Sequence, residues 1–147
     1  MTKAAAVVAL VLSLAAGCGG GGRPHFEGAS GWHVIAEPGQ IVSAANVAFA
    51  AADRAQSAPI HTVASLPRRG ILIWVQSARG RKLKSVPLRV EYMATSRPEG
   101  FACPGTTRAL QTGRKGWDVY VWVFFGAKHP PESIVAAANA ELARFSF

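Results

Sequence analysis

Nucleophiles, bases and metal ligands are sparse in this chain of 147 residues. Cysteine occurs at Cys18 and Cys103, and a nucleophilic thiol needs a base beside it. Cys103 stands in Phe101-Ala102-Cys103-Pro104-Gly105, with no histidine close in sequence. Three readings fit it: a reactive thiol, half of an intermolecular disulfide, or a small hydrophobe under a loop, the commonest role of free cysteine. His25, His33, His61 and His129 are dispersed, and none forms a His-x3-His pair. Neither a metal nor any other cofactor is therefore expected. The acids Glu27, Glu37, Asp53, Glu91, Glu99, Asp118, Glu132 and Glu141 show no spacing that pairs two of them, as hydrolases built on two carboxylates require. No Gly-x-Ser-x-Gly elbow, Ser-x-x-Lys or phosphate-cradling loop is present. No residue is assigned to catalysis, and the chain reads as a binding or accessory domain before an enzyme.

The basic residues say more. Between Asp53 and Glu91 there is no acid, while Arg68, Arg69, Arg79, Arg81, Lys82, Lys84 and Arg89 accumulate. Arg79–Lys84 falls between two expected strands. In an up-and-down meander alternate connections share one end of the sheet, which would set this loop beside Arg114-Lys115. Arg79, Arg81, Lys82, Lys84, Arg114 and Lys115 would then form one basic pole, opposite the pole that carries Cys103. Such a pole suits an anionic surface, either lipid headgroups or an envelope polymer. Solvated charge that keeps the domain soluble is the competing reading.

The amino-terminal segment has its own pattern. Lys3 and the α-amino group precede Ala4–Ala16, an uncharged and almost wholly apolar run. It is short for a bilayer span, which takes about 20 apolar residues, and it fits the apolar region of a secretory signal. Leu14-Ala15-Ala16-Gly17-Cys18 resembles the lipobox of bacterial lipoproteins, with Ala15 where leucine is commonest. The resemblance implies that residues 1–17 are a cleaved signal and that Cys18 becomes the new amino terminus. It also implies a diacylglycerol thioether on Cys18, with further acylation by palmitate-type chains. Two or three chains anchor firmly, at roughly 0.8 kcal/mol per buried methylene. The implied location is the bacterial cell envelope, on the extracytoplasmic side of a membrane. Residues 18–30, with the Gly19–Gly22 run, are expected to be a flexible tether.

The formal net charge of +8 would ordinarily raise nucleic acid as a partner, but an exported protein meets phospholipid and envelope polymers instead. With 50% hydrophobic and 16% charged residues, the remaining chain is expected to fold, as one domain over residues 31–147. Trp32–Ala36 and Ile41–Phe49 are strand candidates, although Ala48–Gln56 also reads as a helical turn. Pro59–Leu66 looks like a short helix stopped by Pro67. Ile71–Gln76 is apolar enough for an interior strand, and Leu88–Thr95 alternates like a half-wet one. Thr106–Thr112 and Trp117–Phe125 flank a four-residue loop, Gly113–Gly116, and Trp117–Phe125 is apolar on both faces after Asp118, as a central strand would be. Pro131–Arg144 carries a helical stripe of Ile134, Ala138, Leu142 and Phe145, with Pro131 suited to the first turn. The expected fold is α+β: an antiparallel sheet of five or six strands with a carboxy-terminal helix on one face. A β-sandwich with an appended helix is the alternative.

The mature part looks like small lipoproteins of GC-rich bacteria, in the approach Leu66-Pro67-Arg68-Arg69-Gly70-Ile71 and the strand–Phe125-Gly126–Pro131–helix ending. No activity follows from that likeness. Three functions stay open: a tethered binding module, an envelope enzyme, and a self-associating structural component, whose sign would be an exposed sheet edge.

Overall fold

The computed structural model describes residues 25–37, 41–56 and 58–147. The signal segment, Cys18 and Gly19–Gly22 lie outside the described residues. The strands are β1 (His25–Phe26), β2 (His33–Glu37), β3 (Ile41–Ala45), β4 (Ile71–Arg79), β5 (Ala94–Thr95), β6 (Thr106–Arg114), β7 (Trp117–Phe125) and β8 (Phe145–Ser146). The helices are α1 (Ile60–Ala64) and α2 (Glu132–Leu142), with single 3-10 turns at Ala51–Ala55 and Val90–Tyr92. Six strands form an antiparallel sheet in the order β2-β3-β4-β7-β6-β5, and β1 pairs with β8 in a separate ribbon. The fold is α+β, with α2 packed across one face of the sheet.

Alternation along β4 and β7 builds two cores. Ile71, Ile73 and Val75 align with Phe125, Val123 and Val121 and meet Ile134, Ala138 and Leu142 of α2. Leu72 and Trp74 align with Phe124 and Trp122 on the opposite face, where Phe49, Val63, Leu66 and Phe101 cover them. Trp74 packs in tilted contact against Trp122 and Phe101 at centroid distances of 4.7 and 5.1 Å, so these aromatics are core packing. Two buried faces are why Trp117–Phe125 reads as apolar on both sides after Asp118. The α2 stripe is buried at Ile134, Ala138 and Leu142, whereas Phe145 leaves the helix for β8 and stacks on Phe26. Pro131 sits one residue earlier than expected, at the N-cap.

Several boundaries differ from the sequence expectation, each for a physical reason. Residues 25–30 belong to the fold and not to a tether, because His25–Phe26 pairs with Phe145–Ser146. Leu88–Thr95 is not a strand: Val90 and Met93 are buried three apart, Tyr92 is 56% exposed, and Met93 N–H donates to Val90 O in a tight turn. Only Ala94–Thr95 pairs with β6. The sheet is not a simple meander either. After β4 the chain crosses the end of the β6–β7 hairpin to β5 at the sheet's edge, and β6 and β7 then follow inward, leaving β7 to pair with β4. The hairpin loop is the pair Lys115-Gly116, with φ of 42° and 85°, since Gly113 and Arg114 remain in register with Asp118 and Trp117. Two successive left-handed residues match the twist of the flanking strands.

Candidate functional site

The basic loop and the hairpin do share one end of the sheet, although the meander that suggested it is absent. Arg79 is the last residue of β4, opposite Trp117, and its guanidinium carbon lies 4.3 Å from the Trp117 ring centroid. Asp118, buried on β7, accepts the backbone N–H groups of Lys82 and Leu83 through Oδ1, both at 3.2 Å. Gly113 N–H donates to Lys84 O at 2.9 Å, and a β-carbon at Gly113 would lie 2.2 Å from Leu83 O. Thr112, fully buried, accepts from Val86 N–H at 2.7 Å and donates to Val86 O at 2.9 Å. Residues 82–86 are therefore pinned through their backbone groups, with Lys82, Lys84 and Ser85 exposed and Leu83 and Val86 half-buried.

The six cations are not equivalent. Arg114 is half-buried and turns inward, donating to Val86 O, Ser85 Oγ and Gly113 O. It fastens the loop. Arg79, Arg81, Lys82, Lys84 and Lys115 are exposed. The Asp118 carboxylate serves backbone N–H groups, so it does not pair with these side chains in any described contact.

Cys103 lies at the far pole, where its thiol contacts Phe125 O at 3.4 Å and Thr106 O at 3.8 Å. Those carbonyls belong to the paired ends of β7 and β6, and none of the described hydrogen bonds brings a base to it. Among the described residues, no group of three histidines, cysteines or carboxylates could hold a metal ion. His25 meets Glu27 at 3.4 Å on the surface, while His33 and His129 are exposed.

One constellation escaped the sequence reading. Asp53 is buried and faces α1. Its Oδ1 accepts the His61 N–H at 3.1 Å and contacts His61 Nδ1 at 2.8 Å. Its Oδ2 accepts both the Thr62 N–H and the Thr62 hydroxyl at 2.6 Å. Burial pushes the Asp53 carboxyl up, but the bonds from Thr62 and His61 outweigh it, and the group ends below its ordinary value. An aspartate that orients a half-exposed imidazole could support a general base. Yet no described hydrogen bond reaches His61 Nε2, and both carboxylate oxygens are occupied by the first turn of α1. The arrangement is a helix cap supplied from eight residues upstream. No motif spacing announced it.

Two shallow grooves flank the sheet. One, of about 240 Å³, is lined by Ile41, Gln76, Ser77, Ala78 and Tyr120. The other, of about 450 Å³, lies beside the edge strand β2 and is lined by His33, Val34, Ile35, Ala48, Phe49 and Arg54. No protein-family model, curated protein or solved structure matches the chain.

Proposed function

We propose that the chain is an envelope lipoprotein, anchored through Cys18, whose basic pole docks the domain on anionic phospholipid. The observation that carries this reading is the loop at residues 82–86, fastened to the hairpin end through Lys82 N–H, Leu83 N–H, Lys84 O and Val86 N–H, which keeps the exposed Lys82 and Lys84 at the same end of the sheet as Arg79, Arg81 and Lys115. Docking then needs little ordering of the backbone, which lowers its entropic cost. The seven peptide links from Cys18 to His25 span at most about 25 Å, so a lipid on Cys18 keeps the folded domain close to the headgroups. Each cation near such a surface contributes on the order of 1 kcal/mol.

Co-sedimentation of the full chain with vesicles tests the proposal. Binding to neutral phosphatidylcholine reports the apolar amino-terminal segment, and the excess on phosphatidylglycerol reports the pole. Replacing Arg81, Lys82, Lys84 and Lys115 together by serine should remove that excess, a loss of about two to three decades in affinity at low salt. Equal binding to both vesicles by the parent chain would sink the reading. An excess that appears on purified anionic envelope polymer and not on vesicles would move the function from lipid to polymer.

A further inference from the structure

We propose that β2 is a pairing edge for a second copy of this chain, joining two sheets about a two-fold axis through Ile35. The two edges of the six-stranded sheet are unlike. On one side β5 is only Ala94–Thr95, and a very short strand is a common way to blunt an edge. On the other, β2 runs over His33–Glu37 and is exposed at four of its five positions. Val34 is one of two large hydrophobic residues exposed among the described residues, at 39%. The strand contains no proline or lysine, the residues that usually protect such an edge.

The order of residues in β2 selects the partner. Antiparallel pairing about Ile35 sets Ile35 against its own copy, Val34 against Ala36, and His33 against Glu37. Apolar residues meet at the centre, and each end sets an imidazole against a carboxylate. Shifting the axis to Val34 or Ala36 leaves two residues unpaired and sets a polar end opposite Ile35.

The sheet face adds a second complementarity. His33, Ile35 and Glu37 share the face that carries Ala45, Ser43 and Ile41 of β3. The groove there is lined by His33 and Arg54, and Arg54 is exposed. In the symmetric pair, Glu37 of each copy therefore enters a groove that already holds a cation of the other. Strand addition of this kind takes its affinity from main-chain bonds and its specificity from alternate side chains, and a two-fold interface repeats every contact twice.

Cysteine cross-linking of the full chain tests the register, with vesicles absent so that lipid docking plays no part. The unsubstituted chain, with Cys18 and Cys103, sets the background. Under mild oxidation Ile35→Cys should form a covalent dimer several-fold above it, since directly opposed β-carbons lie about 4.5–5.5 Å apart. Val34→Cys and Ala36→Cys should each stay at background, and a mixture of the two should cross-link. Glu37→Arg in the Ile35→Cys chain should cut the yield several-fold, and adding Arg54→Glu should restore it. These positions are exposed or half-exposed, and far-UV circular dichroism confirms that each variant folds. Background yield at Ile35, equal yields at residues 34, 35 and 36, or failure of the charge exchange to restore dimer would each overturn the proposal.

Discussion

Replacing Asp53 by alanine removes the acceptor for two backbone N–H groups, the Thr62 hydroxyl and the His61 ring. The ring is half-exposed and turns to water at little cost. The N–H of Thr62 and its hydroxyl are buried with the residue, and the N–H of His61 adjoins them. A buried donor left unsatisfied costs about 1–3 kcal/mol, so the variant should lose about 3–5 kcal/mol. For a domain of this size that lowers Tm by about 10–20 °C. Asp53→Asn keeps one acceptor oxygen but turns an amide NH2 toward donors, and should lose about 2 kcal/mol.

The pH dependence fixes the cause. The folded carboxyl lies below its ordinary value of 3.8, so its contribution is present above that value and disappears as pH falls through the folded pKa. Thermal melts by circular dichroism from pH 7 to pH 3 should show the parent losing stability faster than Asp53→Asn at the acid end. Subtracting the two curves isolates Asp53 from Glu91, whose carboxyl is also held low, chiefly by its hydrogen bond with Arg89. An alanine variant melting within a few degrees of the parent, or an asparagine variant with the parent's full acid slope, would refute the reasoning.

Thr112→Val preserves shape but leaves Val86 N–H without its acceptor. It should cost about 1–3 kcal/mol and speed amide exchange selectively over residues 82–86, as hydrogen-exchange mass spectrometry would show. Expression in a bacterial host should yield an amino-terminal peptide beginning at Cys18 with diacylglyceryl mass, and Cys18→Ser should abolish that mass; an unmodified Cys18 would contradict the anchor. The two-fold through Ile35 sends the two basic poles in opposite directions, so a pair can dock end-on through one pole only. Phosphatidylglycerol vesicles should therefore lower Ile35→Cys cross-linking where phosphatidylcholine does not, and an unchanged yield would show that docking and pairing do not compete.

The parts of this fold legible in the sequence are those where one physical cause sets the pattern. Trp117–Phe125 is apolar on both faces because α2 lies over one and Phe101 with Val63 over the other. The α2 stripe is legible because a helix over a sheet buries one side only. Leu88–Thr95 misleads because two causes compete. Its alternation of types suggests period two, but Asn139 Oδ1 captures the Val90 N–H at 2.8 Å. Arg89 meanwhile pairs with Glu91 at 3.1 Å on one exposed side, and the segment turns so that Val90 and Met93, three apart, are the residues it buries.

The candidate sites divide along the same line. Charge and loop order suggest a shared end for the basic loop and the hairpin, and that juxtaposition survives the loss of the meander for a topological reason. With β7 and β6 lying between β4 and β5, the chain that leaves β4 crosses the hairpin end on its way to β5, and this brings the loop against the hairpin. What the sequence conceals is the division of labour among the cations, because Arg114 and Lys115 are adjacent and alike in charge. Register separates them: Arg114 is still paired with Trp117 in the ladder, which aims its side chain at the Val86 carbonyl, while Lys115 takes the left-handed turn position and stays in water. The β2 edge is hidden for the opposite reason. Its short apolar centre between two polar residues looks like any brief strand, and only the strand order, which among the described residues gives it β3 as its one neighbour, sets His33 and Glu37 at the ends of a sheet edge.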